Sequence, residues 1–173
     1  LTKPLGIGVL TTAAKAELAS PEAMALAHRL MTTLNKAARD CMVRYAVHAC
    51  TDVTGFGLLG HAFEMAQGSD THLTLFPGEI DLIPEALEFA RDGILPAGMY
   101  RNRHYAEAAV DPGSTELAVQ DMLYDPQTSG GLLIAAAPED ADALLRELRG
   151  AVPSAQRIGV VEAYQGGPRI SLR

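Results

Sequence analysis

Apolar residues recur along this chain with two periods, one near 3.6 and one near 2, and together they mark out short helices and strands in alternation. Ser20-Pro21-Glu22 joins a capping hydroxyl, a proline at the first helical position and an acid at the positive end of a helix dipole. Behind it Leu26, Leu30 and Leu34, flanked by Ala27, Met31 and Ala38, predict one long helix from Pro21 to Arg39. Val43 to Cys50 alternates weakly, as a short strand does, and Gly55 to Ala66 sets Leu58, Leu59, Ala62 and Phe63 on one side of a helix. Thr71 to Phe76 alternates cleanly, with Leu73 and Leu75 on one face. After Pro84, the residues Ala86, Leu87 and Ala90 predict a shorter helix that Gly93 ends in a left-handed conformation. Leu95 to Tyr105 is interrupted by Pro96 and Gly98 and reads as a rim or lid loop. Gly131 to Ala137 reads as a buried strand, Glu139 to Arg149 as a helix ended by Gly150, and Arg157 to Ala163 as a strand before the Gly166-Gly167 turn.

Short elements of both kinds in this order specify an α+β fold, a layered helix-and-sheet domain on a mixed or antiparallel sheet whose strand order stays open. With 173 residues, 48% of them hydrophobic, residues 1–173 suffice for a single domain with one core. The 14 Lys and Arg against 21 Asp and Glu give a net charge of -7, which argues against a nucleic-acid partner held through its phosphates. It leaves room for nucleotide chemistry, because a divalent cation bridges carboxylates to phosphate oxygens. Cys41 and Cys50 have neither disulfide partners nor metal-ligand spacing; both read as packed hydrophobes in a reducing, cytoplasmic compartment. No apolar run is long enough to span a bilayer, and no membrane association is expected. The opening Leu1-Thr2-Lys3-Pro4 lacks an initiator methionine, as expected of a processed or trimmed chain or of one part of a longer polypeptide.

Candidate chemistry gathers in two glycine-punctuated turns. Thr51-Asp52-Val53-Thr54-Gly55-Phe56-Gly57-Leu58-Leu59-Gly60 contains GxGxxG between a strand and a helix, but its strand lies behind a long helix and no set of alternating parallel-sheet units follows, so Gly55 to Gly60 reads as a structural turn and helix start and not as a dinucleotide fingerprint. A carboxylate in front of a phosphate cradle repels phosphate unless a metal intervenes. Asp52 therefore reads either as a Mg²⁺ ligand or as a side chain that accepts N–H bonds within its own turn. His61 reads as a hydrogen-bonded structural histidine. Asp125-Pro126-Gln127-Thr128-Ser129-Gly130-Gly131 leads into an apolar strand, and function and architecture call for the same letters there. Lys3 with Gly6 and Gly8 offers one ammonium to an anion, or else forms an amino-terminal strand; Arg101 and Asn102 either orient a substrate or anchor a loop.

Taken together, Leu1-Thr2-Lys3-Pro4-Leu5-Gly6, Asn35, the segment His48 to His61 and Asp125 to Gly131 resemble the carboxy-terminal domain of the selenophosphate synthetases, from Leu1 to Val161. The resemblance implies the AIR-synthetase-like carboxy-terminal fold, partly ferredoxin-like, and an amino-terminal ATP-binding catalytic domain outside this chain, which carries the reactive cysteine or selenocysteine and forms a homodimer. It implies that the full-length protein makes selenophosphate from selenide, ATP and water, releasing AMP and phosphate, with Mg²⁺ as cofactor, while the isolated domain is inactive. Asp52 matches the family's metal-binding aspartate; Asp125, Ser129, Gly130 and Gly131 match a signature turn with a supporting role. AIR synthetase, thiamine-monophosphate kinase and hydrogenase-maturation ATPases are the related enzymes, and a non-catalytic binding module is the remaining alternative.

Overall fold

The computed structural model describes all residues, 1–173. Eight helices and six strands alternate: α1 Ile7–Lys15, α2 Pro21–Thr32, α3 Lys36–Met42, β1 Val47–Asp52, α4 Gly57–Gly68, β2 Thr71–Leu75, α5 Pro84–Arg91, α6 Ala97–Ala106, β3 Val110–Asp111, α7 Leu117–Tyr124, β4 Leu132–Ala136, α8 Pro138–Ala151, β5 Gly159–Ala163 and β6 Ile170–Leu172. The strands form two sheets. A mixed four-stranded sheet has the order β3-β6-β2-β5, with β2 antiparallel to β5 and parallel to β6; a separate antiparallel ribbon pairs β1 with β4. The architecture is layered α+β, as the alternation of periods predicted. Three apolar clusters replace the single core expected. Leu58, Leu59, Ala62, Leu73, Leu75, Met99 and Ile170 fill the space between α4, α6 and the larger sheet. The faces of α1, α2, α5 and α7 make a second cluster, and Leu82 and Leu95 pack against both. Ala38, Cys41, Leu132, Leu144 and Leu148 bind α3 and α8 to the ribbon.

Local signals hold where their partners are local. Ser20 Oγ accepts the Ala23 N–H at the start of α2, and Gly93, at φ 77°, follows the last turn of α5. Leu73 and Leu75 are buried on β2 as the alternation requires.

The long helix of the sequence reading is two helices. The break at Thr33-Leu34-Asn35 is set from outside: buried Lys3 donates from Nζ to the carbonyls of Leu30 and Thr33, at 2.9 and 2.7 Å, closing the end of α2 with a cation. Leu34, taken as an apolar-face residue, is 77% exposed. The supposed rim from Leu95 to Tyr105 is largely α6, which buries Met99, Asn102 and Ala106. Gly150 lies within α8 and does not end it.

The largest departure is α1, where glycines had suggested a strand. Its first N–H groups are satisfied by a segment about 120 residues away: Gln127 Oε1 accepts from Gly6 and Ile7, and Asp125 Oδ2 accepts from Gly8 at 2.9 Å. Gly8 is required there, since a Cβ would overlap the Asp125 carboxylate.

Candidate functional site

The site is built from the end of β1 and the two turns that hold it. Residues along β1 alternate between half-buried and exposed, so His48, Cys50 and Asp52 share the open face while Val47, Ala49 and Thr51 face inward. Asp52 is the last residue of the strand, opposite Leu132, and its carboxylate makes no hydrogen bond or ion pair within the chain. It does not brace its own turn. Cys50 is exposed, contrary to the packed hydrophobe expected, whereas Cys41 is buried as expected. The Cys50 thiol is pushed up by desolvation and then by the neighbouring Asp52 charge, which keeps it protonated and unsuited to nucleophilic attack.

Beyond Asp52 the chain turns through Val53 and Thr54 into α4. The Thr54 carbonyl accepts from the N–H groups of Gly57 and Gln127, so one oxygen ties both turns together. Gly57, at φ 71°, allows the helix start to approach the Tyr124 carbonyl; a Cβ would lie 2.7 Å from it. A Cβ on Gly60 would meet Phe56, whereas Gly55 faces open space. Two of the three glycines of the fingerprint are thus packing residues, and the strand before them belongs to an antiparallel ribbon, the wrong setting for a dinucleotide site. His61 bridges Thr54 Oγ1 (3.2 Å) and Glu64 (3.1 Å), the structural role expected of it. Phe56 is 46% exposed, stacked on Tyr105 with ring centroids 5.5 Å apart.

The second turn is scaffold. Asp125 is fully buried, and Oδ2 accepts from Gly8 N–H and from Gln127 Nε2 at 2.8 Å, while Oδ1 has no partner. Burial, outweighing these bonds, pushes the carboxyl up to about 7. Ser129, at φ 51°, presents its carbonyl to Lys3 Nζ at 2.7 Å, and the Gly130 carbonyl accepts from Asn35 Nδ2 at 2.9 Å. A Cβ on Gly130 would overlap the Val53 carbonyl oxygen. Gly131 accepts from Val53 N–H at 2.8 Å and packs against Lys3, so the turn clamps the residue that follows Asp52.

Three residues whose part the sequence left open tie the two turns to their surroundings, Asn102 in the anchoring role that was one of its two readings. Gln127 caps α1, and Asn102 donates to the carbonyls of Gly55 and Tyr124, joining α6 to both turns. Lys3 is enclosed by three backbone carbonyls, which corrects its reading as an anion-binding ammonium. Arg101 stays exposed and takes no part in the two turns. Of the anticipated site residues, Ser129, Gly130 and Gly131 adjoin the base of the Asp52 turn, while Asp125 points away into the interior.

No three His, Cys, Asp or Glu side chains come together to hold a metal ion. A lone, exposed carboxylate suits Mg²⁺ only as one contribution to a shared site, because this ion keeps several waters and binds through one or two carboxylates and substrate phosphates. No helix is long and apolar enough to cross a membrane.

Among curated proteins, the chain is 45% identical over 162 residues to a selenide, water dikinase of Clostridium botulinum strain Eklund 17B, covering 93% of this chain and 47% of that protein. It is 49% identical over 148 residues to a selenide, water dikinase of Caldanaerobacter subterraneus subsp. tengcongensis, covering 86% and 43%. The chain therefore spans about half the length of the curated relatives it matches. Among solved structures it resembles the hydrogenase maturation protein HypE (TM-score 0.68, 16% identity, 99% of this chain and 47% of that one). It also resembles HypE in complex with ATP (0.63, 17%, 95% and 42%) and a thiamine monophosphate kinase of Aquifex aeolicus (0.58, 14%, 99% and 48%). At such identities these neighbours share the fold. Residues 1–169 match the family described as AIR synthase related protein, C-terminal domain, and the chain belongs to that family.

Proposed function

We propose that this chain is the carboxy-terminal domain, residues 1–173, of a selenide, water dikinase, an enzyme that forms selenophosphate from selenide, ATP and water and releases AMP and phosphate. The observation that carries the reading is the contrast in identity: 42–49% to relatives of that name, against 13–17% to the fold neighbours. That gap favours the selenium enzyme over the hydrogenase-maturation and thiamine-monophosphate enzymes.

In this reading Asp52 supplies one ligand of a Mg²⁺ held jointly with the ATP phosphates and an amino-terminal domain. Bound there, the ion would supply positive charge against the negative charge of the phosphate oxygens during phosphoryl transfer. This chain's own part is positional. The ribbon pairing fixes the backbone at Asp52, and the clamp on Val53 by Gly130 and Gly131 stops the carboxylate from swinging with its turn. Free of internal partners, Asp52 loses no hydrogen bond when it meets a ligand. Cys50 stays a thiol, and the selenium-handling nucleophile belongs to the amino-terminal domain. A homodimer and a cytoplasmic location come with the same reading.

The test compares the complete polypeptide with the 173-residue chain, following ATP, AMP, phosphate and selenophosphate by phosphorus NMR with and without selenide. Selenophosphate and AMP should form with the complete polypeptide alone. ATP cleavage indifferent to selenide, or phosphorylation of thiamine monophosphate instead, would overturn the proposal.

A further inference from the structure

The two sheets end beside each other without pairing. β4 is an outer strand of the ribbon and β5 an outer strand of the larger sheet. Between them lies a groove of about 440 Å³ lined by the consecutive residues Leu133–Ala136 of the one and 158–161 of the other. A groove on the face of a sheet is lined by alternate residues, since neighbours point to opposite sides. Consecutive lining means that this one lies in the plane of the sheets, between two backbone edges.

The hydrogen-bond register agrees. Val53 N–H bonds the Gly131 carbonyl and Ala137 N–H the Ala46 carbonyl, so the odd-numbered residues of β4 face β1, and Ile134 and Ala136 turn their N–H and C=O groups into the groove. Phe76 N–H bonds the Ile158 carbonyl, so on β5 it is Gly159 and Val161 that turn theirs outward. Leu1 lines one end of the groove, and its backbone bonds are those a paired strand would make. Its nitrogen and carbonyl exchange bonds with Gln156, both at 2.9 Å, and Thr2 N–H bonds the Leu132 carbonyl. The Leu1 nitrogen is buried, and burial pushes its amine down to about 6, the mark of a place suited to a neutral peptide nitrogen.

We propose that the groove is filled by the residues that precede Leu1 in the complete polypeptide, extended antiparallel to both β4 and β5, so that one strand joins the ribbon and the four-stranded sheet into a single seven-stranded sheet. The proposal rests on the preceding reading only in requiring a longer polypeptide, as expected from relatives about twice this length. The register is specified. Gln156 and Gly159 both face the groove although three residues apart, which places one extra residue on that side, a β-bulge. The second residue before Leu1 then lies opposite Gly159 and the fourth opposite Val161. Leu144, Leu145 and Leu148 line one side of the slot, and Met65, Leu73 and Leu75 the other. A strand covered on both faces reads as an apolar run, so these residues are apolar and contain no proline at the paired positions. The strand also holds β1, and with it Asp52, at a fixed place relative to the larger sheet.

Amide hydrogen exchange on the complete polypeptide and on the 173-residue chain tests this. The N–H groups of Ile134, Ala136, Gly159 and Val161 should exchange at least about 100-fold more slowly in the complete polypeptide, independently of protein concentration, while the amides of α4 are protected alike in both; equal slowing at α4 would mean only a less stable fragment and would count against the proposal. Proline in place of the second residue before Leu1 should release Gly159 while leaving the amides of α4 protected. Equal exchange in the two proteins would overturn the proposal, and so would protection that rises with concentration, since a second copy would then fill the slot. Neither result depends on what the enzyme makes, so loss of the selenide reading in the activity assay leaves this outcome separately decided.

Discussion

The turns carrying Asp52 and Asp125 look alike in sequence, an aspartate followed within a few residues by two glycines, yet the fold uses them in opposite ways. Asp125 is sealed in the interior with one oxygen committed to α1 and Gln127 and the other against Gly8. Asp52 stands at a strand end, exposed and without a partner. A carboxylate whose bonds are spent inside the protein is architecture, and one that is held in place by its backbone alone is available to a ligand. The division extends to the glycines: Gly130 fits because nothing larger does, while Gly55 faces open space.

The contrast is broken most forcefully at Asp125. Its carboxyl sits at about 7 in the folded protein against about 4 unfolded, so the folded state binds the extra proton between those values. Its contribution to stability is therefore full below about pH 4, falls as pH rises through 7, and amounts to at most about 4 kcal/mol. Asp40, Asp111 and Glu116 shift the opposite way beside Lys36, Arg173 and Arg91. Denaturant titrations of the parent and Asp125→Asn from pH 4 to 8 cancel those shared groups, and the difference should shrink the parent's advantage steadily with pH. A pH-independent difference would mean that Asp125 is ionised throughout.

Gly130→Ala comes next, at about 3 kcal/mol of lost stability, because its methyl would overlap the Val53 carbonyl, while Gly55→Ala should stay within about 0.5 kcal/mol. Paired thermal melts decide whether the two turns differ as claimed. Gln127→Ala should cost about 2 kcal/mol, since it strands the Gly6 and Ile7 N–H groups in a buried setting, and exchange of the α1 amides should quicken before those of α4.

Much of this was legible in the sequence wherever cause and effect are neighbours. The cap at Ser20, the left-handed Gly93 and the alternation of β2 each depend on a few adjacent residues. Two of the failures share one cause. The split of the long helix depends on Lys3, about 30 residues away, and the start of α1 depends on Gln127 and Asp125, about 120 away. Pattern rules register glycine as a turn and cannot see a distant side chain that caps it. For the same reason both meanings of Asp125 stood open in the sequence, whereas Asp52 lies close to the expected strand end, although β1 runs from Val47 to Asp52 and not, as the alternation indicated, from Val43 to Cys50, because α3 extends to Met42 with Val43 as its cap.

The central claim, that Asp52 serves a ligand and not the fold, is tested most directly by Asp52→Asn in the complete polypeptide, with stability and selenide-dependent ATP turnover measured on the same preparation. The account predicts a stability change within about 0.5 kcal/mol, since no internal bond is lost. It predicts a turnover reduced at least about tenfold, or about 1.4 kcal/mol of transition-state stabilisation, with a raised Mg²⁺ requirement. Unchanged turnover and Mg²⁺ dependence in a stably folded variant would contradict it.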